Sequence, residues 1–205
     1  MQDSSSTRAS LLSRVRDGAN DRAWREFSDQ YGELILRYCR RRGLQQMDAE
    51  DVRQLVLMGL SRSLRSGGFR YAPGKGRFRD YLGATVRHAI QRFLSRHAPG
   101  SGGLSLDGIA EPAQEDEGGP DALWEREWAD HHYRLAMVTI RATFEARSVA
   151  VFERVIAGGS GAGVEAIAED FGLSVDAVRH VKFRVLARLK ELVADQVRAE
   201  DEPDG

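Results

Sequence analysis

Residues 174–192, SVDAVRHVKFRVLARLKEL, read as a helix that is apolar on one side and rich in Arg and His on the other. Val178, Val181, Val185, Leu189 and Leu192 recur at steps of three and four, so they line one buried stripe. At about 100° per residue, Asp176, Arg179, His180 and Phe183 come out opposite that stripe and near the N-terminal end. Ser174 has the side chain of an N-cap. Just upstream, VEAIAEDFG predicts a shorter helix with Val164, Ile167, Ala168 and Phe171 inward, and Gly172 can take the left-handed conformation that ends it. Two helices joined this way form a helix-turn-helix, whose second helix offers its N-terminal end to the DNA major groove. An ordinary antiparallel helix pair would satisfy the same apolar pattern without DNA. On the DNA reading the contacting set is Ser174, Asp176, Arg179, His180, Phe183 and Arg184.

The net charge of -1 over 205 residues conceals a strong segregation along the chain. Residues 8–100 carry 19 Lys/Arg against 9 Asp/Glu, a surplus of ten positive charges. Residues 101–130 carry 1 basic and 9 acidic groups, and residues 131–198 carry 10 and 8. A basic half joined through an acidic stretch to a helix-turn-helix half suits a two-module DNA binder.

Hydrophobic content of 41% and a length of 205 residues fit one or two domains. Residues 1–9 are a polar tail. Residues 10–97 predict a small helical bundle: helices over 11–17, 21–42, 48–65 and 78–97, the second with Trp24, Phe27, Tyr31, Leu34 and Tyr38 on one face. In the fourth, Phe78, Leu82, Val86, Ala89 and Phe93 face inward. Residues 98–120, APGSGGLSLDGIAEPAQEDEGGP, have the Gly, Pro and acid content of a flexible linker. Residues 121–197 form the second module, with helices over 121–147 and 148–157 ahead of the helix-turn-helix, and 198–205 is an acidic tail. No run alternates with period two. The expected class is therefore all-α: two small helical domains joined by a flexible acidic linker.

The helix over 48–65 carries more apolar surface than one bundle face needs. Val52, Leu55, Val56, Gly59 and Leu60 make the inward side on this reading, while Leu57 and Met58 lie away from it beside Glu50, Gln54 and Ser61. Such a framed apolar pair is a protein-binding patch, or else it covers the bundle from another side. In SGGFRYAPGKGRF, residues 66–78, Phe69, Tyr71 and Phe78 alternate with Arg70, Lys75 and Arg77. Aromatic rings on a basic irregular loop can stack unpaired bases while the cations follow the phosphates; the alternative is that Phe69 and Phe78 anchor the loop to the core. On the fourth helix Arg77, Asp80, Arg87, His88 and Gln91 point outward, opposite the apolar stripe.

The order Asp48-Ala49-Glu50-Asp51-Val52-Arg53-Gln54, then Phe78-Arg79-Asp80-Tyr81-Leu82 with Arg87, then a linker and a C-terminal helix-turn-helix, resembles bacterial RNA polymerase sigma factors of the extracytoplasmic-function (ECF) type. The resemblance covers residues 10–97 and 125–195. It implies two helical domains, region 2 and region 4, and a non-enzymatic transcription initiation factor that binds core RNA polymerase, recognises promoter DNA and helps melt it. Carried over, polymerase binding falls to Asp48, Glu50, Asp51, Gln54, Leu57 and Met58. The -10 element falls to Phe69, Arg70, Tyr71, Lys75, Arg77, Asp80, Arg87, His88 and Gln91, and the -35 element to the helix-turn-helix set above. An anti-sigma protein is a further partner that such a factor can have. His88, Arg92 and Leu55 depart from residues common in the family, which bears on the -10 preference rather than the fold.

Other classes fit less well. GGSGAG, residues 158–163, has no strand before it and no Gly-Lys-Ser/Thr after it, so it reads as a turn rather than a phosphate loop. His131 and His132 are adjacent and point about 100° apart on a helix, unlike an i, i+4 metal pair. Nothing in the sequence calls for a metal or cofactor, and no pair has nucleophile and base spacing. The lone Cys39 is expected to be a core residue. No apolar run reaches the roughly 18 to 20 residues that cross a bilayer, and MQDSSSTRAS lacks a signal peptide's apolar stretch, so a cytoplasmic location without membrane insertion is expected. The alternative to the sigma reading is a free-standing helix-turn-helix regulator with an N-terminal sensing or dimerisation bundle; a third is an adaptor that never touches DNA.

Overall fold

The computed structural model describes residues 10–16, 20–65, 77–96, 119–158 and 163–201. Among them are eight helices and no strand: α1 (Ser10–Arg16), α2 (Asp21–Arg41), α3 (Gln46–Arg65), α4 (Phe78–Arg96), α5 (Gly119–Thr143), α6 (Ala146–Ala157), α7 (Val164–Asp170) and α8 (Val175–Asp201). The fold is all-α. It divides into two compact units, Met1–Ala129 with Arg198–Gly205, and Asp130–Val197.

In the first unit α2 is held at both ends by local chemistry. The Asn20 side chain accepts from the Ala23 N–H at 3.0 Å, a side-chain N-cap. At the other end Gly43 has φ 88, which permits Leu44 N–H to reach Cys39 O (3.1 Å) and Gly43 N–H to reach Arg40 O (3.0 Å). This Schellman pair satisfies carbonyls that the helix end would otherwise leave open, and it turns the chain into α3.

The first core is aromatic. Phe27, Tyr31, Leu34, Ile35, Tyr38 and Cys39 of α2 meet Ala49, Val52, Val56 and Leu60 of α3 and Phe78, Leu82, Val86 and Ile90 of α4, all at most 3% exposed. Each such burial contributes roughly 1.5 to 3 kcal/mol per large side chain before the entropy of ordering is subtracted. Burial also pushes the Cys39 thiol up to about 12, so it stays a neutral core residue. The same core takes in Leu123, Trp124 and Trp128 from the first turns of α5. Trp128 lies 6.1 Å from Tyr31 and 6.2 Å from Phe78 between ring centroids, and Trp124 meets Tyr38 edge-on at 5.1 Å. Glu127 is fully buried there, facing Arg41 at 2.8 Å and Arg37 at 3.3 Å. The last turn of α8 adds Glu200, which accepts from the Tyr31 hydroxyl at 2.5 Å.

The second unit has two adjoining apolar clusters. Ala136, Met137 and Ile140 of α5 join Val149 and Phe152 of α6 and Val185, Leu189 and Leu192 of α8. Val151, Ile167, Ala168 and Val178 form the other cluster, beneath α7 and the start of α8.

Helix limits depart from the sequence reading by two residues or more in four places, the first being α3, which starts at Gln46 rather than Asp48. α5 starts at Gly119, within the stretch read as linker, and Pro120 sits in its first turn, where a missing N–H costs nothing. The break between α5 and α6 falls at Phe144–Glu145 rather than after Arg147. Glu145 is extended there (φ -58, ψ 138), and Ser148 is buried inside α6. Finally, α8 runs to Asp201 instead of ending at Leu192, since no Pro or Gly interrupts it before Pro203. The remainder of the linker, residues 98–118, lies outside the described residues.

Candidate nucleic-acid interface

In the second unit, α7, a tight turn and α8 form a helix-turn-helix. The turn is a second Schellman pair: Leu173 N–H bonds Ala168 O at 2.8 Å and Gly172 N–H bonds Glu169 O at 3.0 Å, with Gly172 at φ 58. Ser174 then caps α8, its hydroxyl accepting from Ala177 N–H at 3.1 Å. From α6, Arg147 donates to the Phe171 carbonyl at 2.5 Å, and Arg154 stands 3.6 Å from Asp170. These contacts fix α7 relative to α6, while Val151 and Val178 pack on Ile167 and Ala168 beneath it.

The face opposite the buried stripe of α8 is open. Asp176, Arg179, His180 and Phe183 are all exposed, Phe183 at 75%. A ring so exposed is not explained by the core of this unit. Arg179 lies 3.3 Å from Asp176, an exposed i, i+3 pair that contributes little to stability and that a phosphate or base edge can replace. Arg184, grouped with this set from the sequence, is exposed as well, but its side chain reaches back toward α6. Its guanidinium lies 5.4 Å from the Phe144 ring centroid and 3.4 Å from the Ser148 hydroxyl, so part of its work is to tie α8 to α6 and to the turn that precedes it.

In the first unit, α3 and α4 flank a groove of about 850 Å³. Asp51, Gln54, Leu55, Met58 and Arg62 line it from α3, and Thr85, His88, Arg92, Phe93 and Arg96 from α4. It therefore joins three of the polymerase-binding candidates (Asp51, Gln54, Met58) to one of the -10 candidates (His88). Asp48 and Glu50 are half-buried and stand off the groove, and Glu50 is engaged by Arg53 at 2.6 Å and by Gln46 at 2.9 Å.

One assignment on α3 is corrected. Leu55 and Gly59 were expected inward and Leu57 outward, but Leu55 is 45% exposed, Gly59 is exposed, and Leu57 is half-buried against the core. The reason is the register of the stripe, which begins one turn earlier at Ala49 and runs through Val52, Val56 and Leu60. This rotation leaves Leu55 and Leu57 on its two flanks, and of the two Leu57 is the one covered. The exposed apolar pair is thus Leu55 and Met58, the latter 54% exposed. Arg62, Arg92 and Arg96 were not singled out as groove residues from the sequence. The signal available was their spacing: Arg62 is four residues past Met58, while Arg92 and Arg96 follow His88 at steps of four.

On α4, Arg77, Asp80, His88 and Gln91 are exposed and Arg87 is half-buried. Asp80 also has a local role. It accepts from the Arg77 backbone N–H at 3.4 Å from the third position of the helix, the returning half of a capping box. Arg87 is drawn toward α5, with Asp121 3.1 Å away. Phe69, Arg70, Tyr71 and Lys75 lie outside the described residues. Among the described residues no group of three or more His, Cys, Asp or Glu could hold a metal ion, and no helix is long and apolar enough to cross a membrane. His131 and His132 are both buried, and His132 Nδ1 is 2.9 Å from Gln196 Oε1.

No curated protein and no solved structure matches the chain. Residues 27–99 match the family model described as sigma-70 region 2, about a third of the chain, spanning α3, α4 and all of α2 from Phe27 onward. That stretch of the first unit is thus similar in sequence to region 2 of the sigma-70 family, and the match supports a sigma-70 family factor.

Proposed function

We propose that this protein is a transcription initiation factor of the ECF sigma type, which binds core RNA polymerase in the cytoplasm, directs it to promoters and helps melt the start site. The observation that carries this reading is a pairing within one chain. A segment matching sigma-70 region 2 is followed by a helix-turn-helix whose second helix leaves Arg179, His180 and Phe183 exposed.

On this reading, Asp51, Gln54 and Met58 meet the polymerase, with Asp48, Glu50 and Leu57 beside them. The outward residues of α4, together with Phe69, Arg70, Tyr71 and Lys75, meet the -10 element. Exposed Arg179 and His180 reach base edges or phosphates of the -35 element, and Phe183 meets a thymine methyl. The surplus positive charge of residues 8–100 supplies the sequence-independent attraction to the DNA backbone. An anti-sigma partner belongs to the same proposal, since a factor of this kind is active only when its polymerase-binding face is free. The chemistry this asks of the protein is binding alone, with no catalytic residue or cofactor.

The -35 assignment is tested with holoenzyme assembled from core polymerase and either Arg179→Ala or Phe183→Ala protein. Each loses a contact of roughly 1 to 3 kcal/mol, so promoter affinity falls about tenfold or more and base preference relaxes at the contacted position. Unchanged affinity and unchanged preference in both variants would remove α8 from promoter recognition.

A further inference from the structure

The first turns of α5 lie beyond the linker and outside the segment that matches region 2, yet they are built into the first unit against α4. Trp124 is 2% exposed, and its indole Nε1 donates to the carbonyl of Arg79 at 3.1 Å. The ring lies against Gly83 so closely that a Cβ there would stand 2.6 Å from Nε1 and 2.8 Å from Cε2. Only a residue without a side chain lets the indole take this place. Flanking Trp124 on the same face of α5, Asp121 is 3.1 Å from Arg87 and Glu125 is 2.6 Å from Arg79. The Tyr38 hydroxyl donates to the Pro120 carbonyl at 3.3 Å, fixing the start of α5 to α2 as well.

The position of this contact around α4 gives it a consequence. The inward stripe of Phe78, Leu82, Val86, Ile90 and Phe93 attaches α4 to its bundle, but a helix held along one stripe can still roll about its axis. Gly83 lies roughly 80° from the centre of that stripe and Arg87 roughly 120°, at the border of the outward face. With side-chain tips about 5 Å from the axis, a roll of about 10° displaces them by about 1 Å. A displacement of that size turns a good hydrogen bond to a base edge into a poor one.

We infer that Trp124 is a positioning residue for the outward face of α4, acting through Arg79, Gly83 and Arg87, so that discrimination of the -10 element depends on a side chain beyond the linker. The inference rests on the proposed reading of α4 as a promoter-contacting helix. Asp121 and Glu125 assist by clasping the two arginines on either side of the indole.

Gly83→Ala is the sharpest probe, because it strengthens α4 intrinsically and touches no outward side chain while evicting the indole. Trp124→Phe is the milder one, keeping a ring and removing the N–H donor. Both are measured in the full chain with core polymerase, on fork-junction DNA carrying the -10 sequence that wild-type holoenzyme selects from a randomised library, and on the same DNA with that element scrambled. Absence of any such selection by the wild type would defeat the proposed function itself, whatever the variants do.

Given selection, the ratio of the two affinities is the readout, since a lower folded fraction scales both equally. The ratio is expected to fall about tenfold in Gly83→Ala, the equivalent of one base contact. It should fall less in Trp124→Phe, and recover in part when Gly83→Ala is combined with Trp124→Leu, which makes room for the new methyl group. An unchanged ratio in both single variants, including the case where binding to both DNAs drops together, would overturn the inference. Should Gly83→Ala fail to fold, Trp124→Phe decides alone, by the same ratio.

Discussion

Leu55→Asp combined with Met58→Asp abolishes co-purification with core RNA polymerase and leaves the helical content of the chain unchanged. Both side chains are about half exposed on the groove between α3 and α4, so neither contributes much to the folded monomer. In a complex they would be covered, and a carboxylate at a desolvated interface loses the apolar contact and also bears an unpaired charge. Hot-spot positions of this kind cost 2 kcal/mol or more each, so two together weaken binding by about a thousandfold. The choice of residues depends on the structure. Leu57 looks equivalent in the sequence but packs against the first core, and an aspartate there would report on folding rather than on partner binding. Full retention of polymerase binding by the double variant would place the contact elsewhere.

Trp128→Ala lowers the stability of the first unit by roughly 3 to 5 kcal/mol, the usual range for removing a large aromatic side chain from a core. Trp128 is 4% exposed, and its ring lies 5.8 Å from Trp124, 6.1 Å from Tyr31 and 6.2 Å from Phe78 between centroids. Deleting it opens a cavity among rings too rigid to close over it. Urea unfolding of the full chain, followed by near-ultraviolet circular dichroism, reports the loss as a lower midpoint. A change below about 1 kcal/mol would mean that the first turns of α5 are only loosely attached to the first unit.

The helix-turn-helix was the most legible part of the chain because three independent local signals agree there. The stripe from Val178 to Leu192, Ser174 as a cap and Gly172 in the left-handed region each point to the same geometry, and all three are found. The exposure of Asp176, Arg179, His180 and Phe183 followed from the same periodicity. The all-α class and the inward face of α2 were legible for a related reason: their patterns span several turns, so an error at one residue does not move the stripe. The roles of these residues toward DNA and polymerase are a further step that periodicity alone does not reach.

Three features were less legible, each from a tertiary cause. The register of α3 depends on Ala49, a small residue that adds little to an apolar pattern yet is fully buried in the first core. Leaving it out shifts the stripe toward Leu55 and exchanges Leu55 with Leu57. The attachment of Leu123, Trp124 and Trp128 to the first core could not be read from α5, whose apolar positions continue into the second unit without interruption. What distinguishes its first turns is the partner they meet on α4, where Arg79, Gly83 and Arg87 receive them. Arg184 likewise shares a basic face with Arg179, but its length lets it fold back onto Phe144.

The central claim is that this chain confers promoter specificity on core RNA polymerase. The direct measurement is transcription in vitro from genomic DNA fragments by core polymerase with and without the purified protein, with start sites mapped. The protein is expected to co-purify with core polymerase and to produce discrete new start sites that share elements near -10 and -35. Binding to DNA without association with core polymerase, or no new start site from the mixture, would contradict it and favour a free-standing helix-turn-helix regulator.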